Sequence, residues 1–386
     1  MPHIDSSSKI IEGEVFMQTN NLISTILTKF HAGYFKISLS LCSQALLWKT
    51  LGDPITNTDN NHFLRRALIK MLPSAASIFI WSISLLTLTS LSFIYVLKCM
   101  FKFQTVKHEF MHHVGVNYLF APWISWLLLL QSSPFLTIFP KITNCYLALW
   151  WVFIVPILAL DVKIYGQWFI KGKRYLSNVA NPTCQMSVIG NLAGAWAAGR
   201  MDWRESAIFM FSLGIIHYLV LFVTLYQRLS GEKSVPTMFK PVFFLFIAAP
   251  SMGSLAWDSI SGTYDNSSKM LFYLSLFLFL ILVSKPSIFI NSTKKFNMTW
   301  WAYPFPLTMI AIAAFEYSQE VRSTTAHLLM MVLSLISVLA SVLIFLFTIL
   351  NTNTFFLSSV SISQVEHLDI SFSQDSSNEV DHTIPK

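Results

Sequence analysis

"WWAYPFPLTM", residues Trp300 to Met309, sets Pro304 and Pro306 on either side of Phe305 at the head of an otherwise apolar run. Each proline removes a backbone donor and crowds the preceding turn, so an unbroken helix is not expected through this stretch. The run continues to Phe315 and belongs to a series of such runs, which makes the break decisive. Irregular backbone at membrane depth survives only where it is covered by protein or lines a water-filled cavity. A kink at Pro304 and Pro306 would strand backbone carbonyls and turn Phe305 in a direction that a straight helix would not give it. If this segment faces a path, the ring obstructs it, because a hydrophobic constriction gates by dewetting. If it does not, the ring packs between helices, and the residues alone leave both readings open.

Outward from that stretch, 54% of the 386 residues are hydrophobic and only 12% are charged. Soluble domains carry about a quarter of charged residues, so an ordinary soluble protein is excluded. Apolar runs bounded by polar clusters fall at 32–48, 72–98, 115–132, 142–166, 183–199, 205–227, 237–257, 268–284, 299–315 and 325–350. Most approach the roughly 20 residues that a helix needs to cross about 30 Å of hydrocarbon. The expected fold is therefore all-α and polytopic, with ten spans over residues 31–350 between short tails, 1–30 and 351–386. The first thirty residues hold Asp5, Glu12 and Glu14 and no apolar core with a small-residue cleavage site, so insertion is expected to start at the first span.

An even number of spans puts both ends of the chain on one side. Loops after even-numbered spans carry thirteen lysines and arginines against nine in loops after odd-numbered spans. That excess places both termini in the cytosol. The net charge of +7 is spread over these loops, which points to membrane topology and not to nucleic acid. Of three glycosylation sequons, Asn266 falls in an external loop, and Asn291 and Asn297 fall in a cytosolic one. The four cysteines, Cys42, Cys99, Cys145 and Cys184, are scattered without metal-ligand spacing.

Backbone breakers and small residues concentrate in the odd-numbered spans: Gly33 in the first, Pro122 in the third, Gly190 and Gly194 in the fifth, Pro250 in the seventh, Pro304 and Pro306 in the ninth. Even-numbered spans are smoother, with Pro156 and Gly214 as exceptions. A single glycine of this kind is explained by close helix packing. Five successive odd spans suggest five hairpins, each with an inner and an outer member, around a central path whose backbone these residues shape.

Acidic residues are scarce inside the spans: Asp161 and Glu316 lie near expected ends, and Asp258 at the mouth of the seventh. Proton-coupled carriers depend on intramembrane carboxylates or histidines, and a potassium-type filter needs a run such as TVGYG, which is absent. What remains is Lys36 in the first span, with hydroxyls that include Ser187, Ser251 and Thr308. Hydroxyl donors and helix N-terminal dipoles stabilise a partly dehydrated anion, so these four are the lining candidates. For Lys36 the alternative is snorkelling to the interface. His112, His113 and Glu109 fall in an expected cytosolic loop without a further ligand, so neither a metal site nor a cofactor is expected. No nucleophile elbow, phosphate-binding glycine loop or H-E-x-x-H is present, which argues against an enzyme.

Four segments, "FHAGYFKISLSLCSQALLWK" (30–49), "HHVGVNYLFAPW" (112–123), "FFLFIAAPSMGSLAW" (243–257) and "WWAYPFPLTM" (300–309), together resemble the plant slow-type (S-type, SLAC-type) anion channels. These are related to bacterial TehA and to the tellurite-resistance/dicarboxylate transporter family. The resemblance covers roughly residues 30 to 350. It implies ten helices as five inner/outer hairpins around a pore in each subunit, subunits joined as a trimer, conduction of chloride and nitrate, and Phe305 as the pore occluder. It also implies a plasma-membrane location. Guard-cell members have long cytosolic tails that kinases phosphorylate. Here the tails are short, although Ser371, Ser373, Ser376 and Ser377 offer acceptors for a regulatory kinase. The chain thus resembles a short-tailed member, and some of these act as electrically silent subunits within mixed oligomers. A malate-like dicarboxylate carrier is the further alternative within the resemblance.

Overall fold

In the computed structural model, which describes residues 24–52, 74–134, 143–170, 180–230, 237–285, 296 and 298–351, the odd–even contrast becomes one of length and burial. Five helices correspond to the even-numbered spans: α2 (Ser74–Phe101), α6 (Thr143–Ile170), α8 (Arg204–Ser230), α10 (Asn266–Val283) and α12 (Thr324–Leu350). Four of them run 27 or 28 residues, about 40 Å at 1.5 Å per residue, ample to cross a bilayer with tilt. The odd-numbered spans become α1 (Phe35–Gly52), α5 (Phe120–Gln131), α7 (Gln185–Gly199), α9 (Leu245–Ser261) and α11 (Pro304–Val321), of 12 to 18 residues. Between α2 and α5 lie two short helices, α3 (Phe103–Met111) and α4 (Gly115–Tyr118).

Burial separates the two sets. In the apolar windows of the spans that contain α9 and α11, 83% and 78% of residues are buried, against 11–39% in the five outer helices. Every residue of α7 from Gln185 to Ala198 is buried. The outer helices instead expose Phe93, Val162, Val223, Phe277 and Leu335 to the surroundings. Among the described residues seven helices are long and apolar enough to cross a membrane alone, and eight if α3 joins the following α4–α5 segment as one span bent by 104°. Of the inner helices α7, at 15 residues, is too short to pass alone, and α1, at 18, is too polar, with Lys36, Gln44, Lys49 and three serines.

Packing closes the inner set into a ring. α1 packs on α5, α5 on α7, α7 on α9, α9 on α11, and α11 back on α1. Each outer helix packs on the inner helix that precedes it and also on the inner helix that follows, with α12 returning to α1. Short connections join α7 to α8, α9 to α10 and α11 to α12, which makes each pair an antiparallel hairpin. The ten expected spans are all present as helices in this arrangement.

The expected kink at Pro304 and Pro306 is not what the backbone does. Pro304 is the first residue of α11, so both prolines occupy its first turn, where backbone N–H groups have no helical acceptor to lose. Pro122 likewise lies in the first turn of α5. These prolines begin helices, and of the inner-span prolines singled out from sequence only Pro250 stands inside one. There the carbonyl of Ile247, one residue beyond the Phe246 carbonyl that Pro250 deprives of its helical donor, accepts from the hydroxyls of Ser251 and Ser275, which ties outer helix α10 to α9 beside the proline.

Gly190 and Gly194 act through space. A methyl at Gly194 would lie 2.5 Å from Ile154 Cδ1 of α6 and 3.0 Å from Met210 Cε of α8. One at Gly190 would meet Phe120 and Ile124 of α5 and Ile157 of α6 at 3.3–3.7 Å. Small residues here let α7 approach its neighbours closely, the packing reading of these positions. Of the sequons, Asn266 is exposed as the first residue of α10, while Asn291 and Asn297 lie outside the described residues, as do the tail serines.

Candidate functional site

All five inner helices are entered in the same way. A short lead-in precedes each: 3-10 turns at Ala32–Tyr34, Pro182–Cys184, Thr237–Phe244 and Met298–Ala302, and α4 before α5. These lead-ins touch one another around the ring, from Ala32–Tyr34 to α4, to Pro182–Cys184, to Thr237–Phe244, to Met298–Ala302 and back to α1. The N-terminal ends of the inner helices are thus gathered at one mouth, each turning the positive end of its dipole toward it.

Three lead-ins share one local device. The His31 ring accepts from Gly33 N (3.1 Å), His112 Nδ1 from Val114 N (3.3 Å), and Asn181 Oδ1 from Thr183 N (2.9 Å). His31 and Asn181 have nearly the same extended backbone, φ −140° and −139°. The histidine at 112 therefore has a capping role that its place in an expected loop concealed.

The first lead-in is held by charge. Lys98 at the end of α2 pairs with Glu109 of α3 at 3.0 Å, both side chains 1% exposed. Lys98 Nζ also donates to Phe30 O at 2.6 Å, and Glu109 Oε1 accepts from Ala32 N at 2.5 Å. Gly115 makes this possible, because a methyl there would sit 2.6 Å from the Glu109 carbonyl oxygen. Lys98, counted from sequence among the cytosolic loop charges, is fully buried.

Lys36 stands in the first turn of α1, 7% exposed, with its ammonium 4.2 Å above the Tyr118 ring of α4. Among the described residues it meets no carboxylate and donates no hydrogen bond to an acceptor. Beside Tyr118, the Asn117 amide donates to Thr183 Oγ1 (3.1 Å) and Cys184 Sγ (3.4 Å), tying the α4 lead-in to that of α7. Gln185, the next residue, is wholly buried, and neither atom of its amide has a partner.

The three hydroxyl candidates are not brought together. Ser187 bonds Tyr165 of outer helix α6 at 2.8 Å, and Ser251 bonds Ser275 of outer helix α10. Thr308 joins Gln44 of α1 (2.8 Å) and Ser337 of α12 (2.9 Å). Each therefore has its hydroxyl engaged at a seam between helices. With Ser40 donating to Trp301 O at 3.2 Å, the Gln44–Thr308–Ser337 knot seals the α1–α11 junction of the ring. Phe305 lies in the first turn of α11, 1% exposed, and among the described residues its ring stacks on no other aromatic.

Asp161 is well inside α6 and not at an end as expected. It is 3% exposed, and Asn191 Nδ2 of α7 donates to its Oδ2 at 2.7 Å. His217 of α8 stacks on Tyr165 at 3.5 Å, with its Nδ1 at 2.7 Å from the carbonyl of Leu213. Sequence reasoning weighed Glu109 only as a metal ligand and missed Tyr118 and Gln185, because the significance of all three is a matter of which lead-ins adjoin. The available signal was Glu109 itself, one acid in the otherwise basic segment "KCMFKFQTVKHEFMHH".

Comparison with known proteins agrees with this architecture. The family described as voltage-dependent anion channel matches residues 29–349. The S-type anion channel SLAH1 of Arabidopsis thaliana is 51% identical over 332 residues, 86% of this chain and 84% of that protein. SLAH4 of the same plant is 50% identical over 331 residues, covering 86% of each. The guard cell S-type anion channel SLAC1 is 40% identical over 326 residues, 84% of this chain but 56% of its own length. A match across nearly the whole helical part, with relatives at half identity, means that the chain belongs to the voltage-dependent anion channel family, as a member of its S-type group.

Proposed function

We propose that this protein is a pore-forming subunit of a plasma-membrane anion channel, passing chloride or nitrate down the electrochemical gradient inside the ring of α1, α5, α7, α9 and α11. It works as a trimer of like or related subunits, with both termini in the cytosol. The observation that carries the proposal is the closed five-helix ring whose N-terminal ends collect at one mouth. Converging helix N-termini attract an anion without fixing it as firmly as a paired full charge would. Lys36 adds a cation at that mouth, whereas a cation pore is built with acidic rings.

Phe305 is the gate in this reading. Its ring is buried in the first turn of α11, and Pro304 and Pro306 fix the backbone on both sides of it. Gly33, Pro122, Gly190, Gly194 and Pro250 shape the ring, while Ser187, Ser251 and Thr308 hold its seams. A kinase acting on the tails regulates the same gate.

Expression of wild type and Phe305→Ala in oocytes, with surface protein quantified, tests the proposal. Constitutive chloride or nitrate current in the variant at equal surface level is the expected result. If the ring only packs, truncation instead costs about 3–5 kcal/mol and surface protein falls without current. Absence of current from both proteins at full surface level would point to a silent subunit, recognised by altered current on co-expression with a conducting relative. Saturable, proton-driven malate flux would point to a carrier.

A further inference from the structure

We propose that the mouth of the inner ring holds a discrete anion-binding site, with Lys36 as its charge and the Gln185 amide as its neutral donor, specific for a small monovalent anion such as nitrate. The proposal deepens the channel reading, on which its physiological meaning rests, but binding itself does not require conduction.

Three independent observations converge. First, Lys36 is nine-tenths buried yet, among the described residues, lacks any carboxylate, and its ammonium lies against the Tyr118 ring. A cation taken out of water is strongly disfavoured unless it is paired, and an aromatic face is only a partial substitute. The region is not short of means to pair lysines: Lys98, in contact with the same lead-in, is given Glu109 and a carbonyl. Second, Gln185 is wholly buried with both amide atoms unsatisfied, although buried amides are nearly always bonded. It starts α7, whose lead-in is tied through Asn117 to α4, and Asn117 is the neighbour of the tyrosine under Lys36. Third, these groups belong to α1, α4 and α7 where their lead-ins adjoin, at the end where the N-termini of the inner helices gather. A buried unpaired cation, an unsatisfied amide and converging helix N-termini together match one kind of occupant, a small anion. No carboxylate among the described residues neutralises Lys36, so a single negative charge completes it. The Tyr118 ring, 4.2 Å away, holds the ammonium in place.

The test uses the full-length protein in lipid nanodiscs, with sodium nitrate exchanged for sodium gluconate at constant ionic strength, and thermal unfolding as the readout. Wild type should show a midpoint that rises and saturates with nitrate, because a ligand bound only by the folded state stabilises it by mass action. Lys36→Met should lose the saturable rise, with the apparent nitrate Kd raised at least about tenfold. Lys36→Arg should keep it, and Gln185→Leu should weaken it. Lys269→Met, at the start of α10 beyond the opposite end of the ring, should leave it unchanged. Should Lys36→Met prove unstable, the comparison of Gln185→Leu with Lys36→Arg decides the matter. A nitrate response equal to wild type in both Lys36→Met and Gln185→Leu, or no saturable response in wild type, overturns the site. A response intact in wild type with no current from Phe305→Ala would leave the site standing and remove the channel reading instead.

Discussion

At the scale of single residues, the ion pair of Lys98 and Glu109 sets the position of the first inner helix. Both side chains are buried, and both also bond backbone at the entry to α1, Lys98 at Phe30 just before the first lead-in and Glu109 at Ala32 within it. Removing one partner leaves a buried charge uncompensated, which costs about 3–5 kcal/mol. Lys98→Met should therefore lower the thermal midpoint sharply, and Glu109→Leu should do so further because Ala32 N loses its acceptor. The double variant Lys98→Met/Glu109→Gln should recover much of the loss, since the amide still accepts from Ala32 N and no charge remains. Thermal unfolding of the purified variants checks this, and a double variant worse than either single one would show that the pair is not the origin of the effect. None of this was legible in sequence, where Lys98 and Glu109 read as loop charges, because their burial depends on how the α2–α3 corner folds against α1.

Elements carry a different lesson. Apolar runs bounded by polar clusters located the ten helices, and the alternation of breaker-rich and smooth spans separated inner from outer. What the prolines do was not readable, because a proline one turn into a helix and a proline that starts one look alike in sequence when the lead-in is equally apolar. Pro304 heads α11, so Pro304→Ala should change stability by no more than about 0.5 kcal/mol, as expected where no helical hydrogen bond is at stake. A proline newly placed at Ile312, in the buried interior of the same helix, should cost about 3 kcal/mol or more. Comparison of folded yield and thermal midpoint for the two variants distinguishes a helix that begins at Pro304 from one that bends there. Residue type alone singles out Lys36 and Phe305 as candidates, whereas the partners that Ser187, Ser251 and Thr308 bond across helix seams depend on packing that no local stretch of sequence displays.

For the whole molecule, the long outer helices meet the lipid and the short inner ones do not. Leu335 of α12 is 60% exposed midway along a 27-residue helix, so Leu335→Arg places a charge in the hydrocarbon region. Insertion scales put that at about 2.5–3.5 kcal/mol, and a glycosylation-reporter assay of α12 should register it as reduced insertion. Ala313 of α11, fully buried, should tolerate insertion of the isolated helix equally badly when changed to Arg, but would in addition abolish assembly of the ring.

The seal of the ring also has a consequence in time. Gln44 is made early, and its partners Thr308 and Ser337 come 264 and 293 residues later. At roughly 5–20 residues per second of synthesis, that is a wait of roughly 15–60 s. Throughout it, the first inner helix exists beside the translocon with a polar amide and no closing neighbour. Biogenesis therefore has a stage at which the barrel is a crescent open toward lipid, and a ribosome that stops before α11 leaves a crescent permanently. A chain stopped there keeps the Gln44 amide without Thr308 and Ser337, the two partners through which the last hairpin closes the ring.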